Sequence, residues 1–173
     1  SDLHFSFVKI NAQVADFYVH GDTIGLQTIG FRTIDPLSKF QVKKLDTKFM
    51  ISDRQMRFDD LSLFFNDSYV GDHVHMNYKK INDLTKWITK VQMVGNLKNS
   101  KVKGEDLGRF VGAMYDYKGY YQLNGILNGT VDNLSLKNFE LGFGQNSVLR
   151  GNFNFKGLPN IDKTQMDFDM KKS

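Results

Sequence analysis

Cysteine is absent from the chain, which removes disulfide scaffolds, thiolate metal sites and thiol nucleophiles together. Long apolar runs are missing too, for none approaches the roughly 20 residues that a membrane-spanning helix needs. The opening residues Ser1-Asp2-Leu3-His4 hold neither an initiator methionine nor a basic-then-apolar leader, and read as an internal start with any anchor or address elsewhere. Charge of one sign is not concentrated anywhere. Lys plus Arg number 23 against 19 Asp plus Glu, and the scattered excess fits a solvated face better than a nucleic-acid footprint. Apolar residues at 40% and charged residues at 24% match ordinary globular usage, which argues against disorder and against a membrane-embedded body. A length of 173 residues suits one domain with a core or one slice of something longer.

What is present is period two. From Leu123 the odd positions read Leu123, Gly125, Leu127, Gly129, Val131 while Gln122, Asn124, Asn128 and Thr130 hold the even ones, with Ile126 as the exception; this is the alternation of a half-buried strand. Val74, Met76 and Tyr78 alternate with His73, His75 and Asn77. Phe153 and Phe155 alternate with Asn152 and Asn154, and Met166, Phe168 and Met170 with Gln165, Asp167 and Asp169. Further strands are expected over 5–10, 14–19, 23–32, 40–45, 48–58, 61–65, 88–97 and 115–122. Turn residues at 20–22, 66–67, 132–133 and 145–146 punctuate them at the spacing of an antiparallel meander. Only 81–89 and 100–111 read as short helices. The segments 58–78 and 136–155 share one hairpin design, so an elongated sheet that grows by adding strands is expected.

A sheet with one apolar face must cover it with a second sheet, with helices or with a guest. Helices are nearly absent, which leaves a closed sandwich, a barrel, or one sheet curled until its apolar face lines a groove. Gly125 and Gly129 fall on the apolar side of their strand, where a missing side chain permits tight curvature. The predicted groove lining is Val74, Met76, Tyr78, Leu123, Leu127, Val131, Leu141, Phe153, Phe155, Met166 and Phe168.

Chemistry is scarce beside this. His73 and His75, near Asp72, supply too few donors for the three or four that a metal site demands, and a solvent-facing pair is the simpler reading. Adjacent Asp59 and Asp60 read as a turn, because neighbours on a strand point to opposite faces. The run from Tyr115 to Tyr121, with Lys118 between rings, would suit sugar stacking in a closed-sandwich adhesin or carbohydrate binder; a strand with one aromatic face is the plainer account. Trp87 reads as the anchor of a short helix. No nucleophile has a positioned base and no glycine loop cradles a phosphate, so the residues predict no enzyme, no metal and no cofactor.

Several motifs resemble those of the AsmA-like, TamB-type periplasmic proteins of Bacteroidetes-like bacteria. Ser38-Lys39-Phe40-Gln41-Val42-Lys43-Lys44-Leu45 resembles the family's S-G-F-x-V-x-x-L step, with Lys39 where glycine is usual. Leu61-Ser62-Leu63 through Ser68-Tyr69-Val70-Gly71 resembles its recurring hairpin, and Asn99-Ser100-Lys101-Val102 with Asp106-Leu107-Gly108-Arg109-Phe110 its S-x-V … D-L-x-x-F element. Leu123-Asn124-Gly125-Ile126-Leu127-Asn128-Gly129-Thr130-Val131-Asp132-Asn133-Leu134, continuing to Gly157-Leu158-Pro159-Asn160-Ile161, is the most specific stretch. Residues 46–57 match no motif.

The resemblance implies one segment, residues 1–173, of a protein anchored in the inner membrane and spanning the periplasm as a U-shaped antiparallel groove, a "β-taco" with one or two short helices. Its implied cargo is the acyl chains of phospholipid moving between inner and outer membranes. An alternative implied role is assembly of outer-membrane proteins with a TamA-type barrel partner.

Overall fold

The computed structural model describes residues 8–108 and 115–170. Ten strands form one open antiparallel sheet in sequence order: β1 (Val8–His20), β2 (Thr23–Asp35), β3 (Phe40–Ile51), β4 (Gln55–Phe65), β5 (Ser68–Asn77), β6 (Gln92–Lys103), β7 (Tyr120–Thr130), β8 (Asn133–Phe143), β9 (Ser147–Lys156) and β10 (Gln165–Met170). Every connection is a simple return, so each strand finds its partner next in the chain. Among the described residues helix is confined to a 3-10 turn (Ile81–Lys86) running into α1 (Trp87–Lys90), to α2 (Gly104–Leu107), and to a 3-10 turn at Ile161–Lys163. The expected all-β curved sheet is therefore what the chain forms. Because all ten strands share one sheet, the architecture is not the closed sandwich of the rival reading.

Register turns scattered alternation into continuous rows. Val19, Ile24, Ile51, Met56, Met76, Met93, Gly129, Leu134, Phe155 and Met166 face one another in succession from β1 to β10. Two residues along, Leu26, Phe49, Phe58, Val74, Gly95, Leu127, Leu136, Phe153 and Phe168 make a second row from β2 to β10. The positions between them, such as Arg57, His75, Asn128, Ser135, Asn154 and Asp167, are mostly polar and belong to the opposite face.

Both rows stop at a crease. In four consecutive hairpins two residues of the even strand oppose one of the next: 29–30 face Asp46, 59–60 face His73, 98–99 face Asn124 and 137–138 face Asn152. The second bulge residue is left-handed each time: Gly30 (φ 63), Asp60 (φ 50), Asn99 (φ 49) and Asn138 (φ 47). A bulge of this kind bends its strand and sharpens the local twist; four in line fold the sheet along a single axis. Three of the freed amides donate to the facing side chain: Gly30 N–H to Asp46 Oδ1 at 2.6 Å, Asn99 N–H to Asn124 Oδ1 at 2.7 Å and Asn138 N–H to Asn152 Oδ1 at 2.9 Å. Glycine, asparagine and aspartate are the residues that tolerate this backbone best. Lys39, standing where the resembled motif has glycine, is also left-handed (φ 57).

Several sequence-based boundaries need correction, and the bulges are the main reason. Residues 59–60 read as a turn and 46–47 as a gap between two strands, yet they lie inside β4 and β3. Their Asp residues serve the crease instead, and the true turn at 52–54 is held by a bond from Ser52 N–H to Gln55 O of 2.8 Å. Segments 5–10 and 14–19 are not two strands: from Val8 they form one, kinked at Lys9 (φ 55) and Asp16 (φ 50). The helix expected over 100–111 shrinks to Gly104–Leu107, because Ser100 to Lys103 complete β6; residues 109–111 lie outside the described part. The strand expected from 115 begins at Tyr120, and the one expected from 88 begins at Gln92.

Polar clasps hold the strand ends. Asp106 of α2 is buried and accepts from Asn66 Nδ2 at 2.6 Å and Ser68 Oγ at 2.5 Å. The fully buried Asp35 accepts from the Leu37 and Ser38 amides and the Ser38 hydroxyl. At the opposite strand ends Tyr78 is buried and donates its hydroxyl to Ser52 O at 2.9 Å.

The crease makes Asn99 a backbone-limited position. Asn99→Val should lower the unfolding free energy by about 1–3 kcal/mol, the range for a branched side chain forced left-handed. Asn99→Gly should stay within about 0.5 kcal/mol of the parent. Urea denaturation of both variants checks this, and equal losses would refute a backbone origin.

Candidate functional site

The two rows form the floor of a trough that runs across the strands. At about 4.8 Å between neighbours, ten strands extend it roughly 43 Å. Its lining is neither a sealed core nor open surface: Leu26, Phe49, Phe58, Val74, Leu127 and Leu136 are all half-buried. Only nine apolar residues among those described are buried, few for a sheet with this much apolar surface. Phe49 and Phe58, cross-strand neighbours in the second row, stack with ring centroids 5.2 Å apart, within the range of favourable tilted aromatic pairs.

The predicted lining residues sort by position. Val74, Leu127, Phe153 and Phe168 lie in the second row, and Met76, Phe155 and Met166 in the first. Leu123 and Leu141 pair with each other beyond the crease, in line with Ser100 and Leu149. Tyr78 and Val131 are elsewhere: Tyr78 follows β5 as a buried strand-end anchor, and Val131 sits in the turn between β7 and β8. Period two fails at a strand end, so alternation alone misplaces both.

Sequence reasoning missed Leu26, Phe49, Met56, Phe58, Met93, Leu134 and Leu136. The signal was there in shifted form. Across each bulge the inward positions step by three, as in Phe58 to Leu61 and Leu136 to Phe139, so a fixed parity loses the face halfway along the strand. The two glycines on the floor are constrained by conformation. Gly125 (φ 138) and Gly129 (φ 129) have backbone that side chains rarely adopt, and a Cβ at Gly129 would lie 2.1 Å from Asn133 O.

The opposite face carries the titratable groups. His75 Nε2 lies 2.7 Å from Asp59 Oδ1, and Arg57 Nη2 lies 2.9 Å from Asp59 Oδ2. His73 Nδ1 approaches Asp72 Oδ1 at 3.3 Å, and Asn96 Nδ2 donates to Asp72 Oδ2 at 2.7 Å. The imidazoles are 5.1 Å apart between centroids, but each is engaged by its own carboxylate, and the described residues contain no group of three donors placed for a metal. The tyrosine run divides as well. Tyr117 and Tyr121 stack at 4.8 Å with Tyr121 buried, while Lys101 lies 4.4 Å over exposed Tyr120.

Burial pushes the Asp59 carboxyl up, but hydrogen bonds from His75 and Arg57 outweigh it and hold the group below the usual carboxylate range. Burial likewise pushes the Asp72 carboxyl up, but His73 and Lys98 outweigh it and hold the group below the usual range. A carboxyl lowered by folding contributes stability in full above its unfolded value of about 3.9, and loses it as pH falls through the folded value. The urea midpoint should therefore drop as pH falls below about 4, and the drop should be smaller in an Asp59→Asn, Asp72→Asn double variant. Parallel declines in parent and variant would show that these contacts carry no acid sensitivity.

Compared with known proteins, the chain matches no family model, no curated protein and no solved structure.

Proposed function

We propose that this chain is one length of a lipid conduit, with phospholipid acyl chains lying along the trough while headgroups remain in water. The observation that carries the reading is the pair of apolar rows, running across nine and ten strands, on a sheet that no second sheet covers among the described residues. Its roughly 43 Å exceeds the roughly 15 Å depth of one leaflet's hydrocarbon, so a chain lies along the rows with length to spare. Depressions of about 300 Å³ beside Leu26 and Phe49 and about 380 Å³ beside Ile29 and Arg32 are local hollows near β1, too short for such a guest.

Repetition of the lining supports sliding as the mechanism. Fully burying about 14 methylenes at roughly 0.8 kcal/mol each would be worth on the order of ten kcal/mol, which a single closed site would release slowly. Along a repeating row, a shift by one strand exchanges like contacts for like, and little net free energy changes. The motif resemblance to TamB-type proteins adds the setting: a periplasmic segment of a protein anchored in the inner membrane.

Organic extraction of the purified protein followed by mass spectrometry should return phospholipid. Leu127→Asp places a carboxylate in the middle of the second row, and should cut the lipid recovered at least about tenfold while far-UV circular dichroism stays unchanged. An empty parent protein, or a folded variant loaded to parental level, would end this reading.

One observation favours assembly of outer-membrane proteins with a TamA-type barrel as the second reading. Among the described residues nothing pairs with the outer edge of β1, which exposes Ile10, Val14, Phe17 and Val19 at 54–64%, the character of a strand that accepts another strand. A photo-crosslinker at Phe17 should then capture protein, whereas one at Leu127 should capture lipid under the conduit reading.

A further inference from the structure

The connection from β5 to β6 is a helical insertion at the strand ends, and it is rich in lysine. Residues 79–90 hold Lys79, Lys80, Lys86 and Lys90 with a single acid, Asp83. Six lysines elsewhere, Lys43, Lys44, Lys48, Lys98, Lys103 and Lys118, each sit within 3.4 Å of a carboxylate. Among the described residues none of the four lysines of the insertion has such a partner. Asp83, whose Oδ2 accepts the backbone amides of Lys79 and Lys80 at 3.2 and 3.3 Å, offsets only one of the four charges and leaves the insertion basic.

The same insertion presents apolar surface at its tip. Ile81 is 45% exposed, and Leu84, Trp87 and Ile88 are half-buried. Its place is fixed, since Ile88 O accepts the Asp132 amide of the next hairpin at 3.2 Å and Val91, which follows α1, is fully buried. The insertion therefore lies along one rim of the trough, beside the strand ends that contribute Met76, Met93 and Leu134 to the outermost row. Four lysines without acidic partners, in one segment with exposed Ile81 and half-buried Trp87, match the chemistry of a bilayer interface, where phosphate lies outermost and acyl chain beneath.

We infer that residues 79–90 form a headgroup rail, in which Lys79, Lys80, Lys86 and Lys90 hold the phosphates of anionic phospholipids whose acyl chains enter the trough past Ile81 and Trp87. This rests on the conduit reading for its cargo, and gives that cargo a preferred headgroup charge.

The whole chain is floated with vesicles of phosphatidylcholine alone and of phosphatidylcholine with about 30% phosphatidylglycerol. Lysines near an anionic surface each add appreciable attraction that salt screens. Binding to the anionic vesicles should therefore exceed binding to the neutral ones, and weaken as salt is raised. Replacing the four lysines together by glutamate should reduce anionic binding at least about tenfold, and should lower the phosphatidylglycerol share of extracted lipid without lowering total acyl chains. A control with the same charge change at Lys9, Lys39, Lys101 and Lys137 should keep most of the binding. Equal loss in the control, or an unchanged share of phosphatidylglycerol in a rail variant that still carries lipid, overturns the inference. Leu127→Asp separates the two readings: it should empty the trough yet leave vesicle binding intact. A parent protein that binds anionic vesicles through the four lysines but holds no acyl chain would sink the conduit and leave a surface headgroup site.

Discussion

A left-handed residue placed once in each of four successive hairpins lets a single sheet turn its apolar face inward. At Gly30, Asp60, Asn99 and Asn138 the ladder loses step by one residue. The bend costs a strained φ wherever the residue is not glycine, and strands a backbone amide that water or a side chain must satisfy. Asp46, Asn124 and Asn152 supply that acceptor from the facing strand. Three of the four hairpins thus carry both the kink and the group that compensates it.

The trough and its polar exterior follow from that crease. Inward side chains converge enough to be half-buried but leave a lining that no second sheet covers. Outward positions keep room for ion pairs such as Lys48 with Asp60 and Arg150 with Glu140. The strand ends are closed by local clasps rather than by a core: Asp35 caps one turn, Asp106 ties α2 to the β4–β5 turn, and Tyr78 reaches back to Ser52. Stability is spread along the sheet, as in repeat architectures where each unit contacts only its neighbours.

Sequence reading recovered the trough where alternation ran unbroken. Leu123, Leu127, Phe153 and Phe155 were accessible because β7 and β9 keep one parity from end to end. It failed on the four bulged strands, β2, β4, β6 and β8. Asp59-Asp60 looked like a turn because aspartate is a turn residue and because the parity changes there; a bulge shares both traits, and only strand pairing tells them apart. Phe49 and Phe58, the stacked pair at the floor, were lost to that ambiguity. The rim lysines were visible as letters, but their lack of acidic partners is a fact of three dimensions.

Composition and periodicity by themselves determined an all-β chain with one apolar face, few helices and no thiol chemistry, because side-chain alternation is a local property of extended backbone. Tertiary structure decided the rest: which residues of different strands share a row, that the sheet stays open, and that the odd aspartates and asparagines serve a crease. Those are matters of register, and register is set by pairing between segments that no single stretch of sequence contains.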